Sequence, residues 1–160
     1  MTPPASGQPQ RYVHEAVYFA TARELVDATA PLLRQALAHG DDVALLCTQS
    51  NNAALMGALD GDERVLVVPR GQVYTKAVSA VAYVRDLAVE RAATTGRGLC
   101  LLGEVGFATD DRSLDEWRRY EALASYALSA LPLRMMCGYN TRDVRGSPRH
   151  RRAYSPLPAP

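Results

Sequence analysis

The chain has 160 residues, of which 48% are hydrophobic, and a formal net charge of +1 at pH 7. This length predicts one domain that buries roughly 70% of its unfolded surface without disulfides or metal ions. The near-neutral charge gives no sign of a nucleic-acid or membrane surface built into the whole fold. No segment approaches the roughly 20 apolar residues that cross a bilayer.

The amino-terminal part of the chain predicts one strand followed by one helix. Residues 11–19 alternate and are rich in aromatic and β-branched side chains, which is typical of a strand. Thr21 and Glu24 then form a capping box for a helix that ends at Gly40. Because Pro31 lies inside this helical pattern, we expect a kink there or a helix in two pieces.

The middle of the chain continues the alternation. Residues 42–48 and 64–68 are short apolar runs with polar flanks, which predicts the second and third strands. Residues 51–59 predict a short helix between them. Apolar residues at helical spacing over 76–92 predict a longer helix, which ends at the turn of residues 94–96.

The last part of the chain predicts strand, helix and strand. Residues 99–104 and 134–140 form the two strands, and Ser113 with Glu116 predicts a capping box for the helix between them. Glu121 falls within the apolar face of that helix. An ionised carboxylate there costs several kcal/mol unless it is paired, hydrogen-bonded or open to water. The alternative is that Glu121 lies at the margin of the face, where it reaches water or caps a loop.

Five strands that alternate with four helical patterns predict a three-layer α/β/α sandwich around a mainly parallel five-stranded sheet. In such sheets a ligand lies beyond the carboxyl ends of the strands, at the switch point. We therefore expect the site where the five strands end. Those ends are residues 19–21, 48–50, 69–71, 104–107 and 139–141.

Two enzyme classes find little support in the sequence. Residues 20–25, after the first strand, contain neither glycine nor lysine, which argues against a phosphate-binding loop and conventional nucleotide hydrolysis. An anion held at the amino end of that helix, helped by Arg23, is the alternative. Cys137 acts as a nucleophile only with a base such as His14, and a lone strand histidine is more often a hydrogen-bonded core residue.

The three cysteines predict reduced thiols in a cytoplasmic protein. Cys47, Cys100 and Cys137 each lie in an apolar run, none belongs to a CxxC pair, and no signal peptide is evident. No Cys/His cluster has the spacing of metal ligands, so we expect no metal site and no cofactor.

The polar residues near the strand ends predict recognition of a ligand. Glu104 and Glu121, or Glu104 and His14, are an acid/base pair if they converge, and a small enzyme of this kind is one alternative. Glu15 points to the opposite face from His14, because neighbours in a strand alternate. We favour a hydrogen-bond network that orients an otherwise apolar ligand. Its expected members are Glu104, His14, Tyr139 and Asn140, beside a lining of Phe107, Trp117 and Tyr120.

Both ends of the chain predict disorder. Residues 1–10 are rich in proline and lack an apolar period, which is typical of a disordered leader. Residues 143–160 read as a basic, proline-rich disordered tail. The arginines of residues 142–152 offer the alternative of electrostatic contact with nucleic acid or an acidic partner.

Several short motifs, in this order and spacing, resemble the MEDS family, the sensory domains named for methanogens, methylotrophs and a dichloromethane-responsive regulator. The motifs are residues 13–18, 31–40 leading to 43–46, 103–104, 120–123 and 136–140. The resemblance implies that residues 11–142 form a single sensory domain. It also implies a P-loop-NTPase-like or RecA-like core that has lost its Walker A loop.

The resemblance further implies a bacterial sensory domain that binds a small molecule or a protein partner without catalysis. In actinobacteria, similar domains often precede a histidine-kinase-like ATPase domain in regulators of sigma factors. The expected partner is thus a kinase-like or anti-sigma component, and the expected role lies in transcription or sigma-factor regulation. A partner-docking scaffold with a degenerate nucleotide pocket is the remaining alternative.

The functional positions of the family fall on His14, on Gly103 and Glu104, on Glu121, and on residues 137–140. Together with the residue patterns they predict one ligand-binding set. Its members are His14, Tyr18, Glu104, Phe107, Trp117, Glu121, Cys137, Tyr139 and Asn140. Two departures imply a different ligand or lost sensing: residues 105–109 replace a Trp-Pro-Gly-Arg-like turn, and Asn140 replaces a final Asp.

Overall fold

The computed structural model describes residues 12–105 and 111–142, apart from the side chains of residues 111–114. Within these residues, the strands are β1 (Val13–Phe19), β2 (Asp42–Leu46), β3 (Val65–Val67), β4 (Leu99–Val105) and β5 (Leu133–Asn140). The helices are α1 (Ala22–His39), α2 (Gln49–Ala58), α3 (Arg70–Val73), α4 (Ala77–Thr95) and α5 (Asp111–Ala127). The predicted leader and the whole of the predicted tail lie outside the described residues.

The five strands form one sheet in the order β1-β5-β4-β2-β3, and every pair is parallel. Helices cover both sides of it, which confirms the predicted α/β/α sandwich. On one side, here called the α1 face, Leu25 of α1 and Leu55 of α2 pack with Leu102 of β4. On the other side, the α5 face, α4 and α5 pack against Leu101 of β4. Alternation along β4 sends neighbouring side chains to opposite faces.

The direction of winding reverses between β2 and β4. These two strands are neighbours, yet β2 leads into α2 on the α1 face, whereas β4 leads into α5 on the α5 face. The carboxyl ends of β2 and β4 therefore flank the switch point, where open parallel sheets take their ligands.

The predicted start and end of α1 are confirmed. Thr21 Oγ1 accepts the backbone N–H of Glu24 at 3.2 Å, and Gly40 closes the helix with a φ of +93°. The helix continues through Pro31 in one piece, so the two-piece alternative is wrong. Pro31 is exposed, which leaves its ring on the solvent side of the helix.

Two local predictions need correction. Helix α5 begins at Asp111, so Ser113 lies inside the helix and cannot be its N-cap. Its expected partner Glu116 instead accepts the backbone N–H of Ala77, the first residue of α4, at 3.2 Å. Helix α4 has no side-chain cap of its own at Lys76, and its packing against α5 brings in the carboxylate. The sequence pattern also missed α3, because a helix of one turn has no apolar period.

Candidate functional site

The predicted ligand-binding residues divide between the two faces of the sheet. His14, Cys137 and Tyr139 lie on the α5 face, since His14 contacts Cys137 and both β5 residues belong to the core beneath α5. Glu104 follows Leu102 by two positions and lies on the α1 face. The prediction that Glu104 and His14 share one network is therefore wrong. Their strands do meet in one sheet, but the two side chains leave it on opposite sides.

The His14 cluster joins β1, β5 and α5. It consists of His14, Glu121, Ser125, Cys137 and Tyr139. His14 Nε2 lies 3.2 Å from Glu121 Oε2 and 3.2 Å from Cys137 Sγ. His14 Nδ1 lies 3.3 Å from Ser125 Oγ, and the Tyr139 hydroxyl donates to Glu121 Oε1. Glu121 and Ser125 are one turn apart on α5, so both reach the same stretch of the sheet.

Burial determines the protonation of this cluster. It lowers the pKa of His14 to about 4 and raises the pKa of Glu121. It also raises the pKa of the Cys137 thiol well above its usual range. The imidazole and the thiol are therefore neutral at neutral pH, and the His14–Glu121 contact is a hydrogen bond rather than an ion pair.

The geometry of the cluster differs from that of a nucleophilic triad. In a triad, the nucleophile and the orienting carboxylate contact different nitrogens of the histidine. Here Cys137 and Glu121 both contact Nε2, while Nδ1 faces Ser125. A buried, protonated thiol is also a poor nucleophile. The contact between His14 and Cys137 therefore fits binding better than it fits acyl transfer.

Aromatic rings extend the cluster along the α5 face. Tyr18 stacks on Tyr139 with 5.6 Å between ring centroids. Trp117 is half-buried and packs on Tyr74 and Tyr120, with centroids 5.7 and 5.2 Å apart. The hydroxyls of Tyr74 and Tyr120 are buried without a hydrogen-bond partner among the described residues. The two hydroxyls lie beside each other, and that of Tyr120 lies beside the Cys137 thiol, but neither has a partner in good hydrogen-bond geometry within the described part of the chain.

The Tyr74 hydroxyl lies directly over Gly103 of β4. A Cβ built on Gly103 would stand 1.8 Å from that oxygen, so no larger residue fits there without a shift of the ring. Gly103 pairs with Cys137 across β4 and β5, which places Tyr74 beside the His14 cluster. The sequence analysis missed Tyr74 and Ser125. The only signal for Tyr74 was its position just after the end of β3.

The Glu104 cluster lies at the switch point. It consists of Thr48, Asn51, Arg70 and Glu104. Glu104 Oε2 accepts from the Thr48 backbone N–H at 2.9 Å, the Thr48 hydroxyl at 3.1 Å and Asn51 Nδ2 at 2.9 Å. Glu104 Oε1 lies 3.3 Å from an Arg70 guanidinium nitrogen. Thr48 and Arg70 follow β2 and β3, so the list of strand ends pointed to both, although neither was predicted as a site residue.

The other predicted residues lie apart from both clusters or outside the described residues. Asn140 Oδ1 accepts the backbone N–H of Arg142 at 3.0 Å, which is a local turn contact. Phe107 lies outside the described residues. Glu15 bonds Arg134 at 2.8 Å on the face opposite His14, which confirms the predicted alternation of β1.

Fold and clusters together define an all-parallel α/β domain with buried polar groups under the α5 face. The family model described as "MEthanogen/methylotroph, DcmR Sensory domain" (MEDS) matches residues 13–150, and the chain belongs to this sensory family. No curated protein and no solved structure gives a significant match. Across the described part of the chain, no helix has the length and apolar character needed to span a membrane.

Proposed function

We propose that this MEDS domain is a non-catalytic sensory module that binds a small, largely apolar molecule with one polar group. The observation that carries the proposal is the pair of buried hydroxyls of Tyr74 and Tyr120, which lack hydrogen-bond partners among the described residues. A buried polar group left unsatisfied costs about 1–3 kcal/mol. A ligand atom that accepts from either hydroxyl recovers that free energy.

The surroundings of the two hydroxyls favour an apolar ligand body. Trp117 and the two tyrosine rings pack edge-on and tilted within one aromatic group. Such a lining, with a few polar groups that orient the ligand, is typical of small-molecule sites. The His14 cluster adjoins it through Cys137, since the Tyr120 hydroxyl lies beside that thiol.

The acid/base alternative has less support. It needs Glu104 to work with Glu121 or His14, and these residues lie on opposite faces of the sheet. Glu104 is also engaged by donors from Thr48 and Asn51. Its carboxylate oxygens are thus already occupied by donors of the protein, which supports a structural role.

We further propose that the domain acts in the cytoplasm and passes its state to a protein partner. The sensory character of the family supports a regulatory role. The resemblance to domains that accompany kinase-like ATPases suggests transcription or sigma-factor regulation, with a kinase-like or anti-sigma component as the partner.

The proposal is tested by NMR titration of the full chain with short-chain alcohols, ketones and ethers. We expect at least one compound to shift the amide signals around Tyr120 and Cys137 and to raise the melting temperature. Tyr120→Phe should weaken the binding of that compound about fivefold, since one hydrogen bond contributes roughly 1 kcal/mol. Tyr126→Phe is the matched control, because Tyr126 lies on the same helix and is 86% exposed.

Three results would overturn the proposal. One is that no compound in the panel binds while a protein partner does, which would favour the scaffold alternative. Another is that Tyr126→Phe weakens binding as much as Tyr120→Phe. The third is that magnesium and ATP shift residues 19–21 and the start of α1, which would restore a nucleotide site.

A further inference from the structure

Three different metal-binding atoms converge in the His14 cluster. His14 Nε2, a carboxylate oxygen of Glu121 and Cys137 Sγ all lie within 4.8 Å of one another. They come from β1, α5 and β5, and Cys137 is fully buried. We propose that these three residues bind one divalent transition-metal ion of the Zn²⁺ class. The proposed metal site lies in the same part of the fold as the proposed ligand site, and it does not otherwise depend on the proposed function.

The two contacts of His14 Nε2 match the spacing of ligand atoms in a metal coordination shell. Zinc bonds of about 2.0 Å to nitrogen or oxygen and about 2.3 Å to sulfur place tetrahedral ligand atoms about 3.3–3.6 Å apart. His14 Nε2 lies 3.2 Å from Glu121 Oε2 and 3.2 Å from Cys137 Sγ. The Glu121 oxygen and Cys137 Sγ are at most 4.8 Å apart, so an ion fits between the three residues once that pair draws together by at most about 1.3 Å.

His14 Nε2 faces two groups but hydrogen-bonds only one of them at a time. A neutral imidazole nitrogen carries either one N–H or one lone pair, so Nε2 makes one good hydrogen bond at a time. Here the same nitrogen faces both Glu121 and Cys137 at equal distance. A metal ion uses the lone pair of Nε2 while it bonds the carboxylate and the sulfur as well.

Neighbouring groups hold two of the ligands in the required orientation. Ser125 Oγ lies 3.3 Å from His14 Nδ1, so this contact leaves Nε2 for the ion. The Tyr139 hydroxyl donates to Glu121 Oε1, which leaves Oε2 directed at His14. Protein metal sites commonly orient their histidine and carboxylate ligands through such outer hydrogen bonds.

The donor set selects the class of ion. Metal binding would release the thiol proton of Cys137 to solvent. The resulting thiolate, imidazole and carboxylate suit zinc, cobalt and related ions, whereas magnesium and calcium prefer oxygen alone. Three protein ligands leave a fourth position open. The Tyr120 hydroxyl lies beside Cys137, so a molecule bound at the open position would also come within reach of the aromatic group.

The test uses the full chain, stripped with a chelator and titrated with Co²⁺ alone. We expect one equivalent to bind with an intense near-ultraviolet charge-transfer band from the thiolate and visible bands typical of a tetrahedral site. Zn²⁺ should displace it. X-ray absorption of the zinc form should show one sulfur at about 2.3 Å and nitrogen or oxygen at about 2.0 Å.

Matched variants assign the ligands. Cys137→Ala should abolish the charge-transfer band, whereas Cys100→Ala, equally buried but on the α1 face, should keep it. His14→Gln should weaken Co²⁺ binding at least about tenfold. His39→Gln removes an exposed histidine and should change nothing. If Cys137→Ala does not fold, the two histidine variants and the zinc absorption spectrum decide.

The inference is overturned if the wild-type chain binds no Co²⁺, if the thiolate band survives Cys137→Ala, or if His14→Gln binds as tightly as His39→Gln. Any of those results would mean that His14, Glu121 and Cys137 form a hydrogen-bonded cluster and do not bind a metal ion. Since no organic compound is present in this experiment, its failure does not affect the titration with alcohols, ketones and ethers. Conversely, a chain that binds Co²⁺ but none of those compounds would keep the metal site and lose the proposed small-molecule ligand.

Discussion

Glu104, at the end of β4, accepts the backbone N–H of Thr48, the N-cap of α2, at 2.9 Å. The amino end of a helix at the switch point is where many α/β proteins hold a phosphate or another anion. In this chain a side-chain carboxylate occupies that position. The amino end of α2 is thus satisfied from within the fold.

Glu104→Gln should lower the free energy of unfolding by about 2 kcal/mol, because charge-assisted hydrogen bonds from Thr48 and Asn51 weaken. The ion pair between Arg70 and Glu104 adds little to this loss, because the Arg70 side chain is partly exposed. Urea unfolding measures the change. Glu90→Gln, at an exposed position of α4, should stay within about 0.5 kcal/mol of the wild type. Equal effects of the two variants would contradict a structural role for Glu104.

Removal of two buried tyrosine hydroxyls should have opposite consequences in the chelator-treated, ligand-free chain. Tyr120→Phe should leave stability unchanged or raise it by up to about 1 kcal/mol, because its hydroxyl is buried without a partner. Tyr139→Phe should lower stability by about 1 kcal/mol, because its hydroxyl donates to Glu121. Chemical denaturation of both variants checks this. A larger loss from Tyr120→Phe than from Tyr139→Phe would show that the Tyr120 hydroxyl has a partner.

Gly103→Ala should destabilise the fold by about 1–3 kcal/mol, since its methyl group meets the Tyr74 ring in a packed core. Tyr74→Phe in the same background should restore part of the loss. Gly57→Ala is the control: nothing lies within 4 Å of a Cβ there, and the residue is inside α2. That variant should gain about 0.5–1 kcal/mol. Thermal unfolding of the wild type, the two single glycine variants and the double variant measures these changes. A neutral Gly103→Ala would contradict the contact between position 103 and the Tyr74 ring.

The free thiols should react only when the chain unfolds. Burial raises the pKa of both Cys47 and Cys100 to about 12, so at about pH 8 almost no thiolate forms at either position. Labelling with an aromatic disulfide reagent should therefore be slow in buffer and fast in concentrated guanidinium chloride. Mass spectrometry of the labelled chain identifies the sites. Rapid labelling of Cys47 or Cys100 in buffer would mean that the core opens locally.

The order of strands and helices was predictable because it follows from local patterns. Apolar alternation in a strand and apolar spacing in a helix depend only on residues of that one element. Either pattern gives the element an apolar face, whichever neighbour it packs against. The same holds for the N-cap at Thr21 and for the opposite directions of Glu15 and His14, which lie in one strand. Ser113 shows the limit, since the capping pattern paired it with Glu116, whereas Glu116 contacts the start of α4, 39 positions earlier.

The composition of the clusters was harder to predict. Spacing rules for metal ligands detect residues close in sequence, whereas His14 lies more than 100 positions before Glu121 and Cys137. Strand alternation likewise relates side chains within a strand and says nothing about two different strands. The pairing of Glu104 with Gly138 and of Gly103 with Cys137 sets their relative direction. This register sends Glu104 to the α1 face and Cys137 to the α5 face.

The sequence by itself determined the α/β class, the order of the elements, the edge of the sheet where strands end in polar residues, and the family. Only the tertiary structure decided that Glu104 caps α2 while His14, Glu121 and Cys137 meet under α5. The physical reason is that periodicity and caps act over a few residues. Which side chains converge depends instead on strand register and on the face that each helix covers.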